Sequence, residues 1–481
     1  MQSGARDSPE AQSPPGVVEL REDVPLKAGA GFGAGGDEGC CAGGPRLILL
    51  AFAALSAAIT LALLTQIYYG DYEVVPHGSV SSSAAACSSA GTDALKAGGR
   101  ALDAAAAAAL CLAVLAPHRT SLDASGSLLY WEYRQSRTQQ PTLYEWGGPQ
   151  PATVAPPPEP AANASAKPVT RPPRLLAALA SLHARYGALP WARVLQPAIE
   201  LARNGFNVSE GLATAEAAAG SAVSAKGTLR TEPQLAQFLE TLQQNTSAEL
   251  SAAWGGASMA RAGTARAAAA GGWRAWSGGA GAGVALQAFA AALLPPPTDA
   301  DDAERRVVNS LQQAATGTWP PAGVSSGLAA VDRLDTYVAL VAGLSTPFGS
   351  GPVTAEGWTR DEPVAPLDLA PAIITDEDIC GTRYVVGAES SGALAQGAAA
   401  LAAAGGPEAV ERARVEVRHG GALALQVGRP APAPAALPPA PAPAPALNAT
   451  PPFAAVNVVR QSADALLSYA DSRGGGYASR F

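Results

Sequence analysis

Few side chains in this sequence are spaced for metal or thiol chemistry. The four histidines, His77, His118, His183 and His419, are scattered, with no pair at ligand spacing, so no metal centre and no cofactor is expected. The five cysteines divide into an adjacent pair, Cys40 and Cys41, and three separate ones, Cys87, Cys111 and Cys380. A juxtamembrane pair suits acylation, whereas three cysteines in an oxidising compartment allow one bridge and leave one thiol. Four N-x-S/T sequons begin at Asn163, Asn207, Asn245 and Asn448, the last weakened by Pro451. They are glycan acceptors only outside the cytosol. Taken alone, Ser325 and Ser326 are linker serines in a Gly-Pro loop over residues 316–326.

The compartment is decided by residues 47–69, LILLAFAALSAAITLALLTQIYY, which contain no charge. A bilayer needs about 20 such residues, and a signal peptide has a shorter apolar run nearer the start. Lys27 and Arg46 precede the run and nothing basic follows until Lys96, which places the N-terminus in the cytosol as a type II signal-anchor. Tyr68, Tyr69 and Tyr72 suit the far interface. All four sequons and Cys87, Cys111 and Cys380 then fall on the extracellular or lumenal side. A buried Ala/Leu-rich core helix is the competing reading of the same run. Composition agrees with something other than a cytosolic enzyme: 15% of residues are charged, against about 25% in ordinary domains. With 32 Lys and Arg against 40 Asp and Glu, there is no basic surface to hold phosphates, so nucleic acid is excluded as a partner.

Residues 1–46 have no periodicity and read as a disordered cytosolic tail. Residues 141–173 and 429–452 are Pro-rich connectors or insertions, and the Ala/Gly-rich stretch 254–283 has no assignable structure. Helical periodicity runs over 92–115, 174–186, 191–204, 232–244 and 284–294, and strand-like runs over 127–133, 327–331, 337–343, 372–375 and 383–386. Helices early and strands late predict a mixed α/β ectodomain with covered sheets.

Several segments carry more than pattern. Residues 87–118, CSSAGTDALKAGGRALDAAAAAALCLAVLAPH, and 183–213, HARYGALPWARVLQPAIELARNGFNVSEGLA, resemble the heavy chain of the γ-glutamyltransferase family. Residues 385–402, 409–420 and 457–478 resemble its light chain, so the likeness covers nearly all of residues 85–481. It implies an N-terminal-nucleophile hydrolase, a four-layer αββα sandwich whose precursor cuts itself into a heterodimer of heavy and light chains. The freed residue then attacks γ-glutamyl peptides, and water or an amino acid accepts the glutamyl group. It also implies a Cys87–Cys111 bridge, with a free buried thiol at Cys111 as the competing reading.

Aligning the family's T-[TS]-H-[LF]-S-V-V-D with VSSGLAAVD puts Ser325 at the nucleophile and the cut between Val324 and Ser325, with Gly327 in place of His. The chain is thus expected to divide into a heavy part, 70–324, and a light part, 325–481. The two bracing hydroxyl positions become Val341 and Gly343, and the substrate-binding Asn becomes Ser345. Asp361 and Glu362 are the nearest acids to those that would pair with the substrate ammonium. The oxyanion hole falls on the backbone of Ser390 and Ser391. The Arg that holds the substrate α-carboxylate is replaced by Gly147, and Arg134 or Arg137 would have to move in. Two functions follow from this mixture: an autoprocessed γ-glutamyl hydrolase or transferase, or an inactive relative that keeps the fold as a membrane-anchored binding or scaffold ectodomain. The anchor's orientation is open to direct test. Protease added to intact cells should remove the ectodomain and spare the first 46 residues, whereas glycans on an exposed N-terminus would reverse the topology.

Overall fold

The computed structural model describes residues 44–69, 77–135, 139–149, 171–220, 224–315, 323–378, 381–417, 423–426, 428–429, 446–447 and 453–481. Cys40, Cys41, Cys380, Arg137, Asn163 and Asn448 lie outside them. The chain divides into two compact units, residues 1–73 and 74–481. In the first, Gly44–Tyr69 is one helix, and its stretch Arg46–Gln66 is long and apolar enough to cross a membrane. None of that stretch is buried.

The second unit is built on two antiparallel sheets. The seven-stranded sheet runs in the order Tyr477–Arg480, Ser79–Ser82, Val324–Val331, Thr336–Leu344, Ser125–Glu132, Thr142–Trp146, Arg261–Thr264. The six-stranded sheet runs Ala465–Tyr469, Val456–Ser462, Arg383–Ala388, Ala372–Asp376, Trp273–Ser277, Arg266–Ala270. Alternation along each strand assigns the faces. Leu129, Trp131, Ala329, Val331 and Tyr337 pack between the sheets against Trp276, Ile373, Val385 and Val459. Leu128, Tyr130, Leu328 and Ala330 point the other way, into the helices Ala101–Leu115, Arg174–Tyr186 and Trp191–Asn204. Helices Ala282–Leu293, Ala300–Ala314 and Ser391–Ala404 cover the far face of the second sheet. The layers are therefore αββα.

Three segments differ from the sequence reading. The single helix over 92–115 is two, Ala85–Lys96 and Ala101–Leu115, parted where Gly98 takes φ +91°, a conformation glycine adopts without a steric penalty. The unassigned stretch 254–283 holds three strands, Arg261–Thr264, Arg266–Ala270 and Trp273–Ser277, and carries the chain from the edge of one sheet to the edge of the other. The strand expected from residue 327 begins at Val324, so Ser325 and Ser326 lie in a sheet rather than in a loop.

Alanine lets the central helix Ala101–Leu115 be enclosed on every side. Ala101, Leu102, Ala104, Ala105, Ala106 and Ala108 are fully buried, and a helix apolar all round must be an interior one. The wholly buried Cys87 and Cys111 join it to Ala85–Lys96 through a disulfide. Removing such a bridge typically costs about 2–4 kcal/mol.

The same helix is held at its start by Asp103, fully buried. The carboxylate accepts the backbone N–H groups of Arg100 at 2.7 Å and Ala188 at 3.0 Å. His183 Nε2 stands 2.9 Å away, and His183 Nδ1 shares a 2.8 Å hydrogen bond with Ser247 Oγ. One carboxylate thus binds residues 100–103 to 183–188. Burial alone would raise its pKa, but the bonds from His183, Arg100 and Ala188 outweigh burial and hold it below the usual aspartate value. A depressed folded pKa gives stability that is present above the unfolded value of about 3.9 and is lost as pH falls through the folded one. Denaturant titrations should therefore lose stability below about pH 4. Asp103→Asn should flatten that acid slope, and Asp103→Ala should cost about 3–5 kcal/mol at pH 7 by orphaning its partners.

Candidate active site

Ser325 is the second residue of the strand Val324–Val331 and faces Gly343 on the neighbouring strand. It shares parity with Ala329 and Val331, so its side chain belongs to the face between the sheets. Ser326 takes the opposite face, its Oγ buried without a partner among the described residues. Ser325 is 5% exposed and donates its hydroxyl to the backbone oxygen of Glu389 at 2.8 Å. Glu389 follows the strand Arg383–Ala388 and precedes the helix Ser391–Ala404.

Two glycines make this meeting possible. A Cβ on Gly327 would lie 2.5 Å from the carbonyl carbon of Gly387, and one on Gly387 would lie 2.2 Å from Leu328 N. The backbones of the two sheets touch there. No side chain fits at position 327, which accounts physically for glycine standing where the resembled motif has His. Asn457 Nδ2 fastens the crossing, donating to Gly327 O at 2.8 Å and to Ser83 Oγ at 3.0 Å.

A cavity of about 270 Å³ opens at Ser325, lined among others by Arg119, Asp368, Glu389, Arg414 and Phe453. Glu389 is held on both oxygens: Arg119 and Ser83 bond Oε1, the latter at 3.0 Å, and Ala455 N bonds Oε2 at 2.8 Å. At the helix start, Ser390 Oγ accepts Ala393 N at 3.1 Å as an N-cap. The Ser391 N–H donates to Asp368 Oδ2 at 3.1 Å, and its hydroxyl does so at 2.9 Å. The oxyanion donor expected at Ser391 is aimed at an anion, but that anion is the protein's own carboxylate.

The expected substrate acids are placed elsewhere. Asp361 is fully buried and receives Ser345 N at 3.0 Å, Ser345 Oγ, and Ser350 N and Oγ at 3.2 Å each. It is a clasp for its own loop, and Ser345, expected beside it in substrate binding, is one of its partners. Glu362 is exposed and outside the cavity lining. Asp123, in the turn after Arg119, forms a second clasp, accepting Arg174 N and Nε at 3.0 Å and Asp361 N at 3.1 Å.

Gly147 has φ +79°, and a Cβ there would lie 2.4 Å from Ser125 Oγ. It borders a separate cavity of about 330 Å³. Arg134 cannot replace the missing guanidinium: it pairs with Asp335 at 2.8 Å, at the opposite end of its strand from the Ser125–Gly343–Ser325 row. Val341 packs with Leu367 and Leu369, and a Cβ on Gly343 would meet Ser325 Cβ at 2.8 Å. Apolar packing and bare backbone thus stand where hydroxyl braces were sought. The sequence alone assigned no role to Arg119, Asp368, Glu389 or Asn457.

Residues 87–273 match the family model described as gamma-glutamyltranspeptidase. Over that segment the chain is similar to the gamma-glutamyltranspeptidase family. Glutathione hydrolase 7 of Bos taurus is 35% identical over 182 residues, 37% of this chain and 26% of the relative. Glutathione hydrolase 6 of Bos taurus is 39% identical over 146 residues, 30% of this chain and 26% of the relative. The chain thus spans about a quarter of the length of these curated relatives. Ser325 lies beyond the matched segment. The fold extends further: the cephalosporin acylase of Bacillus halodurans superposes with TM-score 0.63 at 16% identity, covering 84% of this chain and 96% of its own. The αββα fold is shared with that acylase.

The glycine contact yields a measurable consequence. Gly327→Ala should lower stability by about 1–3 kcal/mol in denaturant unfolding, because the methyl group forces the sheets apart. Gly263→Ala, whose nearest neighbour would be Leu143 Cδ2 at 3.8 Å, should change it by no more than about 0.5 kcal/mol.

Proposed function

We propose that this chain is a γ-glutamyl hydrolase or transferase acting on glutathione-type peptides, with Ser325 as nucleophile. The observation that carries this reading is the hydroxyl of Ser325, held at the strand start against Glu389 O and beside the N-terminus of the helix Ser391–Ala404. In the precursor, that hydroxyl attacks the Val324 carbonyl and the peptide nitrogen leaves as an amine. The resulting ester is hydrolysed by water, which leaves Val324 as a carboxylate and Ser325 with a free α-amine. That amine then takes the hydroxyl proton as general base while the oxygen attacks a γ-glutamyl amide. The leaving amine takes up the proton, and water or an amino acid releases the glutamyl group. Heavy part 70–324 and light part 325–481 would remain together as a heterodimer. The ectodomain would stand outside the cell or in a lumen on a type II anchor. Exposure of Asn207 and Asn245 on the fold is consistent with glycans there.

A second reading is favoured by the Asp368 carboxylate on Ser391 N–H and by the bare Gly147: an inactive ectodomain kept for binding. The two readings separate at one bond. Under the enzyme reading, the smaller fragment begins with Ser325 on N-terminal sequencing. Ser325→Ala then abolishes both the cut and γ-glutamyl anilide hydrolysis, and Ser326→Ala spares both. Full-length chains without turnover, whether or not Ser325 is present, would establish the scaffold.

A further inference from the structure

We infer that Arg119 holds the α-carboxylate of the γ-glutamyl group, an assignment that rests on the proposed γ-glutamyl chemistry at Ser325. The cavity at Ser325 has two lining cations, Arg119 and Arg414. Arg414 is enclosed and engaged: its Nη2 donates to Val410 O at 2.9 Å and to Asp471 Oδ2 at 3.1 Å. Arg119 differs. Its side chain keeps 17% of its exposure, and its one bond among the described residues is from Nη1 to Glu389 Oε1. A guanidinium carries five N–H donors in a fixed fork, so most of its capacity is left for an anion in the cavity.

The spacing is set by Glu389 itself. Its backbone carbonyl accepts the Ser325 hydroxyl, and its carboxylate pairs with Arg119. The same residue therefore bridges nucleophile and guanidinium with a glutamate skeleton. In a γ-glutamyl group, the same number of carbons separates the carbonyl to be attacked from the α-carboxylate. A substrate lying alongside Glu389 would bring its γ-carbonyl to Ser325 Oγ as its α-carboxylate reaches Arg119. The turn carrying Arg119 is fixed, with the Arg119 and Thr120 N–H groups both donating to Ala116 O at 2.8 and 3.0 Å. A cation placed this way does what Gly147 cannot.

The test compares two ligands that differ in one group, γ-glutamyl anilide and 4-aminobutyryl anilide, which lacks the α-carboxylate. Calorimetry on the full chain carrying Ser325→Ala removes turnover from the measurement. With Arg119 present, the γ-glutamyl compound should bind about tenfold to a hundredfold more tightly. Adding Arg119→Lys should shrink that ratio, and Arg119→Ala with Glu389→Gln, which avoids leaving an unpaired buried acid, should bring it near unity with unchanged circular dichroism. Arg119→Lys is the folding control for the more severe change. A ratio unaffected by either substitution, or no binding of either anilide, overturns the assignment. Hydrolysis of γ-glutamyl anilide by the unsubstituted chain is scored separately. Turnover with an unchanged ratio would leave the enzyme and remove Arg119, and a collapsed ratio without turnover would leave the binding site and remove the enzyme.

Discussion

Everything at the site depends on the contact of two backbones. Sheets in a sandwich ordinarily pack about 10 Å apart, a gap filled by side chains. At Gly327 and Gly387 the gap closes until main chain meets main chain. That local pinch lowers the start of the strand Val324–Val331 onto the turn at Glu389, and so sets Ser325 beside the helix Ser391–Ala404. Farther along the same strands, Tyr337, Trp131 and Trp276 pack together between the sheets.

The clasps around this site share a chemical style. Asp103, Asp123 and Asp361 are fully buried carboxylates whose oxygens face backbone N–H groups, hydroxyls or guanidinium groups. A charge in that position costs several kcal/mol unless it is fully partnered, and breaking the set is costly for the same reason. Loops that lack bulky apolar residues, in a chain with few aromatics, are thus fixed by electrostatics rather than by packing. Arg119 and Glu389 belong to the same style but face a cavity, where a partner can be exchanged for a ligand.

What the sequence made legible follows from range. The apolar helix Gly44–Tyr69, the interior helix Ala101–Leu115 and the alternating strands are local patterns and could be read directly. Asp103 and His183 fell inside segments whose family likeness marked them, although their pairing across 80 residues of chain was not readable. The contacts of Asp361 were not legible because an acid in a sequence carries no sign of whether it faces solvent or two serines. Arg119 escaped notice because its partner is 270 positions away. The strands of 261–277 were hidden by alanine and glycine, which have weak strand preference and are drawn into the sheets by their neighbours.

The order of the seven-stranded sheet has a consequence for what a cut before Ser325 could do. Ser79–Ser82 lies between Val324–Val331 and Tyr477–Arg480, so a strand from before the cut is sandwiched between two from after it. In the six-stranded sheet, Trp273–Ser277 is likewise paired with Ala372–Asp376. The pieces are interleaved like two hands with the fingers crossed. They could not drift apart without dismantling both sheets, yet once separated they would have to find each other by diffusion, without the connecting chain that once supplied millimolar effective concentration. Such a molecule, when nicked, keeps a shape it has lost the means to regain, and its lifetime is set by how slowly it opens rather than by the balance between open and closed.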